Sequence, residues 1–298
     1  MKVTKAIITA GGRGTRFLPV SSAYQKEMVP ILNKPQIQYV IEEAIGSGVT
    51  EIAVVVREGV DTFERYMEHD DKLWKFLKET GKEELMDSLV QVKKGADIKI
   101  FTQKESDPYG NGTPFIICKD FGAGKPVVAM WGDDIMIHND TKEPTCVQQM
   151  ISYYEQFSPV AVMSVQKVSR EEINRYGSYD YYTREESDIP YHAKDLIEKP
   201  EPSEAPSLYA NAARFVLGPA VFEELSLKIE GKDGELWLTD AVSRLIKEGR
   251  TVIAAPWVGN SWMPVGDPLR WLQANILVAL EDEEYREDLL EFIKGLGS

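Results

Sequence analysis

The sequence predicts an α/β protein built on a largely parallel sheet, and two observations carry that prediction. Short runs of apolar, often β-branched residues recur along the chain, and between them lie longer segments whose apolar residues return every three to four positions. Strand and helix signals that alternate in this way place helices over the faces of a parallel sheet. The runs are KAIITA (5–10), EIAVVV (51–56), DIKIFTQ (97–103), PVVAMWGDD (126–134) and PVAVMSVQ (159–166), each read as a buried strand.

The first helical segment, PQIQYVIEEAIGSG (35–48), gathers Ile37, Val40, Ile41, Ala44 and Ile45 on one face, and Gly46 and Gly48 close it. Residues 61–95 read as a charged helical insertion with Phe63, Tyr66, Leu73, Trp74 and Leu77 turned inward. A second group of elements begins near Tyr176. There GSYDYYTREES reads as a hairpin, IEKPEPSEAPSLY as a strand entering a proline-rich loop, and ARFVLGPAVFEELSL as strand, turn and helix. From Asp267 onward the chain reads as one or two amphipathic helices, a packing or dimer face. With no linker-like stretch between these parts, residues 1–298 are expected to form a single domain on one continuous sheet.

Composition narrows the function. At 298 residues with 43% hydrophobic content, the chain can bury a sizeable core, so disorder is not expected. A net charge of −14 argues against a duplex nucleic-acid binder, which needs a cationic face to displace counterions. Yet the first 41 residues carry Lys2, Lys5, Arg13, Arg16, Lys26 and Lys34 against a single acid, Glu27. A local cationic site on an acidic protein suits a small anionic ligand. Cys118 and Cys146 have no metal or disulfide-framework spacing and read as buried reduced thiols. The apolar part of MKVTKAIITAGG is too short for a signal peptide, and no run approaches the ~18 apolar residues of a membrane span, so a cytoplasmic location is expected.

Directly after the first strand comes TAGGRGTRFLP (9–19). It is not a Walker loop, because no GxxxxGK[ST] spacing exists. Nor is it a dinucleotide fingerprint: Phe17 stands where the third glycine is needed, and no acid follows at the end of a second strand. What remains is a run of backbone N–H groups with Arg13 and Arg16 able to grip phosphate oxygens, or a plain tight turn with solvated arginines; these residues alone leave both open.

The longer stretch AGGRGTRFLPVSSAYQKEMVPILNKPQIQYVIEEA resembles the amino-terminal signature of the sugar-nucleotide pyrophosphorylases, GGxGTRLxP followed by PKxMxP and KPxIxY. The KEM form (Lys26, Glu27, Met28), the QYV and the inserted helices are most similar to the bacterial-type UTP–glucose-1-phosphate uridylyltransferases. The resemblance spans nearly the whole chain with its motifs in family order. It implies a Rossmann-like three-layer α/β fold of the nucleotide-diphospho-sugar transferase type, with a small sugar-side β extension and C-terminal helices. Residues 1–170 would form the nucleotide-binding half, 171–260 the sugar-phosphate half and 261–298 a helical segment. It further implies transfer of UMP from UTP to glucose 1-phosphate with Mg²⁺, small-molecule substrates rather than nucleic acid or membrane partners, and a homodimer or homotetramer.

Carried over by position, Ala10, Gly11, Gly12, Gly14 and Thr15 would cradle the nucleotide, while Arg16 and Lys26 hold the triphosphate. Gln103 would read the pyrimidine edge, and Gly110 and Gly112 in PYGNGTP (108–114) would form a second nucleotide loop, with Thr113 where a histidine is common. Asp133 matches the magnesium-binding aspartate. Tyr176, Gly177, Glu198, Lys199 and Ala213 fall at sugar-phosphate positions, and GELWLTDA (234–241) matches the family's ELQLTDA. Trp131 and Trp262 read as core or wall aromatics. The chemistry asks for such residues. A phosphate oxygen attacking an α-phosphorus needs charge neutralisation and alignment but no covalent nucleophile or general base, which suits a chain with only His69, His138 and His192.

Four positions depart from the pattern. In GNSWMPVGDPLRWLQA (259–274), Pro264 stands where W-x-D-x-G supplies a second metal carboxylate, and Asp267 follows three positions later. Trp237 replaces a common glutamine, Ala213 a glycine, and Gln25 a proline. These changes keep two alternatives open: the same reaction with dTTP or another sugar 1-phosphate, and a non-catalytic regulatory paralogue. A nicotinamide-dependent oxidoreductase is disfavoured by the missing glycine and acid.

Overall fold

A computed structural model describes residues 2–68, 70–138 and 142–296, so His69 lies outside the described residues. Ile7 and Ile8 are adjacent and both fully buried, which means the strand they form, β1 (Lys5–Ala10), is covered on both faces. β2 (Pro30–Ile31) and β3 (Lys34–Pro35) make a small antiparallel pair before the helix Gln36–Gly46. β4 (Glu51–Arg57), β5 (Asp97–Gln103) and β6 (Val127–Trp131) follow, each pairing in parallel with its neighbour in the order β6-β1-β4-β5.

The remaining strands are β7 (Asp134–His138), β8 (Ala161–Lys167), β9 (Gly177–Tyr181), β10 (Ala193–Glu198), β11 (Tyr209–Leu217), β12 (Val252–Ala255) and β13 (Asn260–Pro264). Antiparallel β11 joins the two regions: its second half pairs with β6, and it also pairs with β8, which carries β12 in parallel at the edge. Through Ala210 opposite Ser178 it reaches the antiparallel β9–β10 pair. Among the described residues these nine strands form one sheet, and β7 and β13 a separate ribbon above it. The expected continuous sheet with a β extension is therefore present.

Side chains of opposite parity along the central strands feed two cores. Ile8, Val54 and Met130 join Ile41 and Met150 on one face, while Ile7, Val55 and Ala129 join Phe115, Phe215 and Leu245 on the other. Helices thus cover both sides, giving three layers. At about 25 cal/mol per Å², each fully buried Ile or Phe side chain contributes roughly 1.5–3 kcal/mol.

Four expectations need correction. DIKIFTQ is a strand, but an edge one, so its face is largely exposed and Ile100 remains 36% accessible. PVVAMWGDD is not one strand, because the chain turns at Gly132 and Asp133 and restarts as β7. The return strand of the hairpin is β10 rather than any part of GSYDYYTREES. Within the insertion, helices Thr62–Met67, Asp71–Thr80 and Asp87–Gly95 bury Phe63 and Leu77, but Leu73 faces outward. Both cysteines are buried free thiols, and burial pushes the Cys118 thiol up to about 12. Among the described residues, no helix is long and apolar enough to cross a membrane.

Candidate active site

The strand order reverses at β1: the chain leaves it toward β4 and β5, then returns to its other side as β6. In open α/β sheets ligands lie outside the carboxyl ends of the strands at such a reversal, where diverging connections leave a crevice. Here the glycine-rich loop leaves the end of β1, and Gly132 and Asp133 leave the end of β6, joined by the Gly132 N–H donating to Thr9 O at 2.9 Å. A cleft of about 380 Å³ opens at this point, and its far wall is built from β9, β10, β11 and the residues before the helix Leu238–Lys247.

The loop after β1 is shaped by close approach. Gly14 has φ +63° and stands against Ser21 and Lys26, so only glycine fits without strain. Its carbonyl accepts from the Ser21 hydroxyl at 2.7 Å. Gly12 lies against the Lys26 stem and Gly11 against the Gln103 amide, which brings the ends of β1 and β5 together. Gln25, the departure from proline, is buried and donates to Ala10 O at 2.8 Å while accepting from the Thr62 hydroxyl. It ties the KEM segment to the end of β1.

Lys26 is the electrostatic centre of this side. Its Nζ hydrogen-bonds Asp133 and lies 3.5 Å from Glu27. Burial opposes the Lys26 charge, but Asp133 and Glu27 outweigh it and raise the pKa above the ordinary lysine value. Burial likewise pushes Asp133 up, and Lys26 more than reverses this, leaving it an ionised carboxylate. Burial also raises Glu27 to about 7, against Lys26, and its Oε2 has no hydrogen-bond partner among the described residues. Asp134 rises to about 7 through burial and the neighbouring Asp133 charge.

The opposite wall carries the residues that the resemblance assigns to the sugar phosphate. Tyr176, Gly177, Glu198, Lys199 and Ala213 all line the cleft, as do Arg16, Lys26, Gln103, Gly110 and Asp133. Glu198 accepts from the Thr239 hydroxyl at 2.6 Å, and Tyr176 packs edge-on against Trp262 while receiving Arg270 Nη1 at 2.8 Å. Ala213 adopts φ +59° in a break of register between Asn211 and Phe215. A glycine would hold that conformation without the alanine's strain.

Some expected residues stand back from the cleft. Ala10, Gly14, Thr15 and Gly112 do not line it; Gly112 instead donates to Leu236 O at 2.8 Å. Gly110, with φ +132°, is pressed against the Leu236 backbone. Leu236 N–H returns a bond to Tyr109 O, and Leu238 N–H one to Asn111 Oδ1, so loop 108–112 is clamped to segment 235–238. Arg13 also lies off the cleft, 3.9 Å from Glu105. Pro264 pairs with Asp134 across the β7–β13 ribbon. Asp267 caps the helix Pro268–Glu281 through Arg270 N–H and lies within 4 Å of Arg16, Arg175 and Arg270, so it organises arginines and does not line the cleft.

A matching family model, Nucleotidyl transferase, covers residues 5–280. The chain belongs to the nucleotidyl transferase family. This nucleotidyl transferase is 37% identical over 99% of its length, and 97% of the relative's, to UTP–glucose-1-phosphate uridylyltransferase of Bacillus subtilis. It is 36% identical to UTP–glucose-1-phosphate uridylyltransferase 1 of Streptococcus pyogenes, over 99% and 95% of the two chains. A solved UDP-glucose pyrophosphorylase complexed with UDP-glucose superposes with a TM-score of 0.81 at 28% identity, covering 94% of this chain and all of that one. UTP-bound UGPase from Acinetobacter baumannii shares the fold, with a TM-score of 0.83 at 24% identity over 98% of each chain.

Sequence reasoning missed the support behind the nucleotidyl transferase site. Arg214 is completely buried, pairs with Glu43 at 2.8 Å, and donates to the carbonyls of Asp134 at 2.8 Å and Ala213 at 3.0 Å. One guanidinium thus anchors both the Asp133–Asp134 turn and the Ala213 bend. The available signal was a charge in the apolar run AARFVL. Asn211, Thr239 and Glu27 line the cleft as well.

Proposed function

We propose that this nucleotidyl transferase transfers UMP from UTP to glucose 1-phosphate, giving UDP-glucose and pyrophosphate, in the cytoplasm. The observation that carries the reading is the division of charge across one cleft: Arg16, Lys26 and Asp133 lie on the side of β1 and β6, and Lys199 with Glu198 on the other. The uridylyltransferase relatives and the UDP-glucose-bound neighbour support UTP and glucose 1-phosphate as the pair.

A phosphate oxygen of glucose 1-phosphate attacks the α-phosphorus of UTP, forming the new P–O bond as the bond to the β-phosphate oxygen breaks and pyrophosphate leaves. Lys199 neutralises the attacking phosphate, and Arg16 and Lys26 the leaving group, so the protein contributes positioning and charge stabilisation. Gln103 and the Gly11–Gly12 backbone hold the nucleotide, and Glu198 fixes the sugar through a carboxylate oriented by Thr239.

Nucleotidyl transfer of this kind uses a divalent metal, and Mg²⁺ is the one proposed. Asp133 would hold it, with Asp134 as the adjacent carboxylate in the cleft. The donor set fits: Lys26 keeps Asp133 ionised, Asp134 lies beside it in the cleft, and Mg²⁺ is characteristically held by one or two carboxylates plus substrate phosphates and water. When bound, it would supply electrostatic stabilisation of the phosphates being brought together. The test is pyrophosphate release with Mg²⁺ across a matrix of nucleoside triphosphates and sugar 1-phosphates. UTP with glucose 1-phosphate should be the fastest pair. Binding of UTP without release from any pair would favour the regulatory paralogue to which Pro264 points, and a faster dTTP reaction would move the base assignment.

A further inference from the structure

Trp237 stands where the resembling family has glutamine, and the cleft gives it a partner. The Lys199 Nζ lies 4.0 Å from the centre of the Trp237 ring, inside the cation–π range. We propose that Trp237 is a positioning residue, its indole face holding the Lys199 ammonium where the sugar 1-phosphate is received. The inference rests on the function proposed above for what Lys199 meets, and on geometry for how Lys199 is held.

Both partners are fixed from behind. The backbone on either side of Trp237 is pinned to the 108–112 loop by the Leu236 and Leu238 hydrogen bonds. The indole is buried to 8% exposure, with Gly231 packed so closely that a Cβ there would come 3.2 Å from its Cδ1. Lys199 starts from a left-handed backbone, φ +45°, held by its N–H donating to Tyr176 O at 3.1 Å. A flexible lysine stem is thereby anchored at its root and restrained at its tip.

The choice of an aromatic partner has a chemical consequence. Glu235, also in the cleft, feels the Lys199 charge, but a carboxylate offsets an ammonium's charge, whereas the ring quadrupole attracts the cation without neutralising it. It also leaves the three N–H donors free to turn toward phosphate oxygens. Restraint before binding removes rotamer entropy that a free lysine would lose on contact with the substrate.

The test reads the contact directly and then its effect. In protein carrying ¹³Cε-lysine, the Lys199 methylene, assigned by its loss in Lys199→Arg, should resonate upfield of the other lysines through the indole ring current. It should return to the common position in Trp237→Leu. A Lys199 signal unshifted in the parent overturns the proposal whether or not the protein turns over. In the steady state, Trp237→Leu should raise KM for glucose 1-phosphate about 3- to 30-fold. KM for UTP should stay within about twofold, the latitude of an interaction that the nucleotide does not share. Trp237→Phe, which keeps a weaker ring face, should restore most of the loss. Equal rises in both KM values, or an unchanged KM for glucose 1-phosphate, overturn the proposal. A parent enzyme that releases no pyrophosphate overturns the function above instead, leaving the resonance to decide the Lys199 placement.

Discussion

Where β1 and β6 end, glycine backbone lines the cleft between polar side chains: Gly11 and Gly12 lie against Gln103 and Lys26 so closely that an added Cβ would push those side chains aside. Across from them the wall is made of side chains, some carried on backbone in conformations that L-residues seldom adopt, Ala213 at φ +59° and Lys199 at φ +45°. The first wall uses glycines that leave room for Lys26 and Gln103, and the second uses side chains set at unusual backbone angles. Three of the four departures from the resembling pattern, Ala213, Trp237 and Pro264, belong to the second wall or to the ribbon beside Asp134.

The largest expected effect tests what the two walls share. Arg214→Ala leaves Glu43 buried with no counter-charge and frees the carbonyls of Asp134 and Ala213, so urea unfolding should show a loss of about 3–5 kcal/mol. A loss below about 1 kcal/mol, the scale of a surface ion pair, would mean that the walls are supported independently. Next, Asp133→Asn should lower kcat by about 10²–10³ with an unchanged circular dichroism spectrum, by analogy with removing one preorganised charged group from a transition state. Lys199→Ala should reduce kcat/KM for glucose 1-phosphate about 10- to 100-fold, the range for losing a hydrogen bond to a charged group, while UTP binding by calorimetry is retained. Loss of UTP binding in that variant would erase the division between the walls. The smallest effect is a gain: Ala213→Gly relieves the left-handed alanine and should stabilise the protein by roughly 1 kcal/mol, read as a higher denaturation midpoint.

Local periodicity made much of the fold legible. Ile37, Val40, Ile41 and Ala44 are buried along the helix Gln36–Gly46 as their spacing requires, and the five apolar runs all contain strands. Exposure was harder to read. Ile100 looks like a core residue until the sheet is assembled and β5 is found at its edge, and Leu73 lies on an insertion helix that buries only a narrow stripe. The glycine loop, Lys26, Asp133 and Lys199 were legible because they recur as motifs. Arg214 and Glu43 were not, since they are 171 positions apart and meet only once the helix Gln36–Gly46 and the sheet are assembled. Trp237 was visible as a departure, but its partner Lys199 could be found only from the closed cleft.

The clamp between loop 108–112 and segment 235–238 makes two stretches of the cleft lining a single mechanical piece. Because Leu236 is bonded on one side to Tyr109 and on the other to Gly112, a displacement of loop 108–112 carries the segment that bears Trp237 with it. Under the function proposed above, a ligand that shifts loop 108–112 would shift segment 235–238 with it, and linkage would make that coupling reciprocal.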